Sequence, residues 1–210
     1  MNTYTIRKTP APLVIDGDLE KSAWAGAEEA HLVETSSGGA PAQSTRVKLL
    51  WDDRWLYAAF RCEDREVQAT YTQFNDRLYE EDVVELFVSP DGDLRRYLEF
   101  EINPLNAVLH YAIFNDLQGN ILPYASLDNR VVSAVRRDEE RLLTDYEAAI
   151  PLSEFVSAPH LPPKAGDEWR MNLYRIDRIP GEPPAFSAWS PTGRPNFHLP
   201  QAFGRLVFAD

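Results

Sequence analysis

Short apolar runs rich in Val, Leu, Tyr and Phe recur along the chain, each closed by Asp, Gly or Pro, and this rhythm constrains the fold more than any other feature. Runs of that length and composition, bounded by turn formers, read as strands. The clearest are Arg46–Trp51, Trp55–Cys62, Val83–Ser89, Arg96–Asn103, Ala107–Phe114, Val131–Val135, Tyr146–Ile150, Trp169–Asp177, Ala185–Trp189 and Arg205–Phe208. Trp51-Asp52-Asp53-Arg54-Trp55 and Pro90-Asp91-Gly92-Asp93 are tight turns, because Asp and Gly tolerate the dihedrals such turns need. Helix is scarce: Asp18–Ala27 reads as one short helix capped by Asp18, and Leu152–Phe155 as a single turn. About ten strands without alternating helices predict an all-β, antiparallel β-sandwich of two sheets. There is no internal repeat, and the Pro-rich loops Ala158–Lys164 and Ile179–Pro184 are too short to link domains, so residues 1–210 are expected to form a single domain.

Composition narrows the function classes. A domain of 210 residues buries enough surface to need no staples, and the single Cys62, set in an apolar run, reads as a small buried hydrophobe. With 21 basic and 33 acidic residues the formal charge is -12, and no basic block interrupts it, so the molecule repels a phosphate backbone. No stretch approaches the roughly 18 apolar residues that cross a bilayer. The opening MNTYTIRKTP lacks the apolar middle of a signal peptide, so the chain as written is expected in the cytoplasm, and outside it if a leader has been removed.

Alternation sorts side chains onto faces, since successive strand residues point to opposite sides. Leu98, Phe100 and Ile102 share one face of their strand, and Tyr97, Glu99, Glu101 and Asn103 share the other. By the same rule Glu85 joins Val83 and Phe87, while Asn172 and Tyr174 join Arg170 and Ile176. A face carrying acids, an amide and tyrosines reads either as an open recognition surface or as an ordinary solvated one. The common nucleophile, metalloprotease and phosphate-loop motifs are absent, and His31, His110, His160 and His198 show no metal-ligand spacing. Asp16-Gly17-Asp18, Asp52-Asp53 and Asp91-Gly92-Asp93 gather hard oxygen ligands of the kind calcium takes, without the spacing of an EF-hand loop. Aromatics form 11% of the chain, and several, among them Tyr71, Phe74, Tyr79, Tyr124, Trp189 and Phe197, stand in polar, turn-rich stretches. Flat rings beside acids and amides suit a saccharide, whose C–H faces stack while its hydroxyls bond.

Four stretches carry a family resemblance: Ile15-Asp16-Gly17-Asp18 leading to Trp24; Leu49–Tyr57 continuing to Cys62-Glu63-Asp64; Tyr79–Val88; and Ser187–Pro191 followed by Phe197–Pro200, Phe203-Gly204 and the closing strand. Together they resemble the family 9 carbohydrate-binding modules and their stand-alone relatives in the DOMON-like superfamily, from about Pro12 to Phe208. The resemblance implies a two-sheet sandwich without catalytic residues, often with structural calcium, serving polysaccharide catabolism. It also implies a slot that holds the end of a gluco- or xylo-oligosaccharide between two aromatics. Carried over, the first aromatic falls on Tyr79, the second on Phe197 and an acid on Glu85. An arginine of the family slot falls on Glu101, a glutamine on Tyr174 and an asparagine on Arg194, and both stacking tryptophans are replaced by smaller rings. Trp189 matches a tryptophan that supports the slot, and Asn172 is a further candidate for hydroxyl contacts. Removing either ring, Tyr79 or Phe197, is expected to abolish binding and leave folding intact.

The implied partners are a saccharide and, in some settings, a separately encoded glycoside hydrolase. The competing reading is an interaction or polysaccharide-processing protein that kept the sandwich and lost the slot. A haem-binding variant of the fold is disfavoured, because Met171 is the one internal methionine and alternates onto an apolar face.

Overall fold

The computed structural model describes all 210 residues. Fourteen strands are formed: β1 (Thr3–Lys8), β2 (Glu29–His31), β3 (Val33–Glu34), β4 (Thr45–Trp51), β5 (Trp55–Glu63), β6 (Val83–Ser89), β7 (Arg96–Ile102), β8 (Val108–Asn115), β9 (Ile121–Ala125), β10 (Val132–Asp138), β11 (Leu143–Pro151), β12 (Glu168–Asp177), β13 (Ala185–Ala188) and β14 (Gly204–Ala209). The ten expected strands are all present within two or three residues of their ends, and β1, β2, β3 and β9 are additional. Hydrogen bonding runs continuously in the order β10-β11-β5-β4-β1-β14-β12-β6-β7-β8-β9.

That path folds over on itself as a β-sandwich. Val47, Leu49, Ala58, Phe60, Tyr146 and Ile150 from one half pack in a single cluster with Val84, Leu86, Phe100, Ile102, Met171 and Leu173 from the other. β1 bridges the halves, pairing in parallel with β14 from Thr3↔Arg205 to Arg7↔Ala209 and, at its far end, with β4. Every other pairing is antiparallel. The turn into β5 is locked by Asp52, whose Oδ1 accepts the Arg54 and Trp55 amides at 2.7 and 2.8 Å while Oδ2 accepts the Tyr57 hydroxyl at 2.7 Å.

Both outer faces of the sandwich are covered. Trp24, with the segment around Leu13–Ala27, caps Leu50, Tyr57 and Ala149. On the other side, Leu78, Phe197 and Phe203 lie over Phe87, Tyr97, Leu109 and Tyr174. The face holding Glu85, Glu99, Glu101, Asn172 and Tyr174 is therefore neither an open surface nor a solvated one, because two long connections cross it. The helix expected over Asp18–Ala27 contracts to α1 (Ser22–Ala25). Asp16 Oδ1 accepts the Asp18 amide at 3.0 Å and Asp18 Oδ1 accepts the Glu20 amide at 2.9 Å, and successive local bonds of this kind compete with helix.

Trp189 belongs to the central core, 7% exposed, with its ring edge-on to Tyr4 at 6.4 Å between centroids. Its six-membered ring lies directly over the Cα of Gly204, where a Cβ would overlap both the ring and the Asn2 carbonyl. Gly204→Ala is expected to destabilise the fold by about 1–3 kcal/mol. Thermal melting of the variant checks this, and an unchanged midpoint would contradict the packing described.

Candidate functional site

The acidic residues of β6 and β7 converge because of sheet register. Glu85 and Glu101 are direct cross-strand partners, and Glu99 lies two residues from Glu101 on the same face. Tyr174 flanks Glu85 from β12, and Tyr111 flanks Glu99 from β8. Carboxylate oxygens of the three glutamates lie within 4.8 Å of one another. All three side chains are buried, and both oxygens of Glu101, with one each of Glu85 and Glu99, have no hydrogen-bond partner.

These carboxyls line a cavity of about 400 Å³. Tyr79, carried on a 3-10 turn (Leu78–Glu80), stands on its rim 39% exposed. Phe197 lines the same cavity from the connection that follows β13. Tyr111, Ile113, Pro123, Phe186, Asn196 and His198 complete much of the wall, and no lysine or arginine contributes to it.

Phe197 is positioned by a polar relay beneath it. The Asn172 amide donates to the Tyr174 hydroxyl and to the Ser190 carbonyl, both at 2.8 Å, and Asn172 Oδ1 accepts the Ser190 amide at 2.9 Å. The Tyr174 hydroxyl then donates to the Phe197 carbonyl at 3.0 Å, and the two rings stack 4.1 Å apart at 11°. Alongside, the Asn115 amide donates to the His198 carbonyl at 3.0 Å, and the Tyr97 hydroxyl contacts His198 Nδ1 at 2.9 Å. Burial holds the His198 imidazole down to about 4, so it is neutral at physiological pH.

The eight residues singled out from the sequence thus fall into three places. Tyr79, Glu85, Glu101 and Phe197 come together at the cavity. Asn172, Tyr174 and Trp189 are buried supports that do not line it, the first two beneath the 190–197 connection and Trp189 in the central core. Arg194 is exposed on an adjoining depression that shares Asn196 and His198 with the cavity. Glu99, Tyr111, Asn196 and His198 escaped selection. Alternation already places Glu99 beside Glu101, and only the pairing of β6 with β7 adds Glu85 to them.

A second acidic cluster lies elsewhere. Asp64, Asp82 and Asp177 bring oxygens within 4.8 Å of one another, and Asp64 Oδ1 is buried without a partner. Arg137 approaches Asp64 at 3.2 Å, and Arg175 Nη2 donates to Asp177 at 3.1 Å. Asp82 accepts the Gln68 and Arg178 amides at 2.6 and 2.7 Å and Asp64 Oδ2 accepts the Thr144 hydroxyl at 2.6 Å, so Asp64 Oδ1 is the one oxygen of this cluster buried without a partner. Carboxylates of the Asp-rich turns are engaged locally as well: Asp52 as above, Asp16 with Lys21 at 2.8 Å, and Asp91 with the Asp93 amide at 3.0 Å.

Burial, reinforced by the neighbouring Glu99, pushes Glu85 well above the usual carboxylate range; burial does the same to Glu101, reinforced by Glu85 and Glu99, and lifts Glu99 to about 7. The folded protein therefore retains protons that the unfolded chain releases above about pH 4.3. This contribution to stability is full in acid and is lost as pH rises through the folded values. Melting temperature is expected to fall as pH rises from about 4.5 towards 7, the span between the unfolded carboxyl value and the folded value of Glu99. Glu101→Gln should flatten that slope and raise stability at pH 8 by about 1–3 kcal/mol, on the order of 2–10 °C. A variant less stable than the parent at pH 8 would contradict this account.

Comparison with known proteins matches the chain, over residues 35–208, to the model of carbohydrate-binding family 9. A protein of Arthroderma benhamiae described as an extracellular protein is 25% identical over 188 residues, covering 80% of each chain. Among solved structures, a Bacteroides uniformis protein provisionally described as carbohydrate-binding superposes with a TM-score of 0.77 at 24% identity, covering 99% of both chains. A family 9 carbohydrate-binding module of Caldicellulosiruptor kristjanssonii in complex with cellotriose gives 0.72 at 17% identity, covering 99% of this chain and 93% of that one. The same source's module in complex with glucose gives 0.68 at 18% identity, covering 98% and 95%. At these identities the structural likeness speaks for the fold, and the family match extends over most of the sequence. The chain belongs to carbohydrate-binding family 9.

Proposed function

We propose that this chain is a non-catalytic saccharide binder that seats a sugar ring, or the end of an oligosaccharide, between Tyr79 and Phe197. The observation that carries the reading is that these two rings, from separate connections, line one cavity floored by hydrogen-bond acceptors. Its volume, about 400 Å³, lies within the usual span of small-molecule sites, roughly 300–1,000 Å³. Solved family members holding cellotriose and glucose support a saccharide as the ligand class. In this reading the rings cover the apolar faces of the sugar while Glu85, Glu101 and the Asn196 amide meet its hydroxyls. Asn172 and Tyr174 act by holding Phe197, and Trp189 by packing the strand before it. The extracellular description of the fungal relative supports a place of action outside the cytoplasm.

Each ring is expected to contribute on the order of 1–2 kcal/mol, so a lone sugar binds at roughly micromolar to millimolar affinity. The two rings differ in what else they do. Tyr79→Ala should weaken binding about tenfold with melting unchanged, because the ring stands at the rim. Phe197→Ala cannot leave folding intact, contrary to the sequence expectation, since its ring is buried and stacked on Tyr174. It should lower stability by about 2–4 kcal/mol as well as affinity. Calorimetric titration with cellotriose and xylotriose, paired with melting curves, tests both. Full affinity in Tyr79→Ala would remove the rim ring from the reading.

We further propose that structural calcium, implied by the family, is held by Asp64, Asp82 and Asp177. The unpartnered Asp64 Oδ1 and the three-carboxylate donor set fit a hard cation, with Arg137 and Arg175 offsetting part of the charge. Chelation should lower the melting temperature by roughly 5–10 °C, restored by added calcium. Asp82→Asn should remove the chelator response; an unchanged response would place the ion elsewhere.

A further inference from the structure

We propose that the cavity selects a saccharide bearing a protonated amine, a 2-amino-2-deoxyhexose or an oligomer of it, with the ammonium held by Glu85, Glu99 and Glu101. The inference rests on the saccharide reading above and narrows its ligand. Three carboxyls converge on one cavity whose wall contains no lysine or arginine and whose histidine is neutral. Glu101 is fully buried at the cavity wall with both oxygens unpartnered, so no donor of the protein satisfies them.

A neutral sugar can donate hydroxyls to these oxygens, but it cannot draw off the protons that burial keeps on them in the free protein. An ammonium does both. Its three N–H donors match three acceptors, and charge-assisted bonds of about 2.8 Å around one tetrahedral nitrogen set the acceptor oxygens about 4.6 Å apart. The glutamate oxygens lie within 4.8 Å of one another, which accommodates that arrangement. Tyr111, next to Glu99 across the ladder, and Tyr79 at the rim supply ring faces that favour a cation as well as a sugar. A bare divalent cation fits less well. Calcium takes roughly six to eight oxygen ligands, and beyond the carboxylates much of this wall is apolar, with no arginine to offset the charge as at Asp64 and Asp177.

The test is calorimetric titration at pH 6.5, where a sugar amine is charged, with the β-1,4-linked glucosamine trimer and cellotriose as matched probes. The amino trimer should bind at least about tenfold tighter, and Glu101→Gln should erase that preference. The exposed Glu66→Gln, which removes one surface charge, should leave the preference as it is. Equal or tighter binding of cellotriose overturns the amine preference and leaves the saccharide reading standing. Failure of both trimers to bind overturns the two together. Calcium that tightens both trimers alike, but no longer does so in Glu101→Gln, would assign the carboxylates to a metal and overturn the proposal. Should Glu101→Gln fold poorly, Glu99→Gln serves the same comparison, and retention of the full preference in it would count against the ammonium site.

Discussion

The sheet half built on β12, β6, β7 and β8 is covered on both faces, and the placement of the cavity follows from that. Its inner face meets the opposite half across the main core, and its outer face lies beneath the connections that carry Leu78, Phe197 and Phe203. A strand buried on both sides normally reads as a continuous apolar run, because every side chain loses water. β7 does not, since Tyr97, Glu99 and Glu101 alternate with Leu98, Phe100 and Ile102. The protein therefore buries acids in a layer where apolar side chains would be more stable, and the cost falls on the residues that floor the cavity. Such concentrations of unfavourable burial are characteristic of binding sites, where a ligand rather than the fold completes the bonding.

Support for the cavity comes from polar residues turned inward. Asn172, Tyr174, Asn115 and Tyr97 each bond to main chain or side chain of the 190–198 connection and fix it against the sheet. The backbone of the connection is tied to Thr35 through the Thr192 and Gly193 amides, and beyond that its main-chain bonds are local, so these side chains fix Phe197 and His198 against the sheet. A connection held in this way can present a ring within tight limits while its tip at Arg194 and Pro195 stays exposed.

How much of this was legible depends on which physical rule carried the signal. Alternation in Arg96–Asn103 and Val83–Ser89 assigned the inner face correctly, because period-two patterning needs no partner to be read. It could not say whether the second face was open, since a roof built from distant connections leaves no periodicity in the strands beneath it. β9 was missed because Pro123 demotes a run that otherwise reads Ile-Leu-x-Tyr, and as an edge strand it tolerates the proline. In β1, Tyr4 and Ile6 do alternate with Thr3, Thr5 and Arg7, but two apolar residues in so short a stretch carry little weight. The family resemblance located Tyr79, Phe197 and Glu85, whereas the gathering of Glu99 with Glu85 and Glu101 follows only from the β6–β7 register.

The parallel pairing of β1 with β14 has a mechanical consequence. These are the first and last strands, and in a parallel ladder their outer ends point in opposite directions, so tension applied through the two ends slides one strand along the other. The hydrogen bonds between Thr3 and Arg7 and their partners are then loaded together instead of opening one after another like a zipper. A chain pulled by both of its ends therefore meets the more resistant of the two geometries.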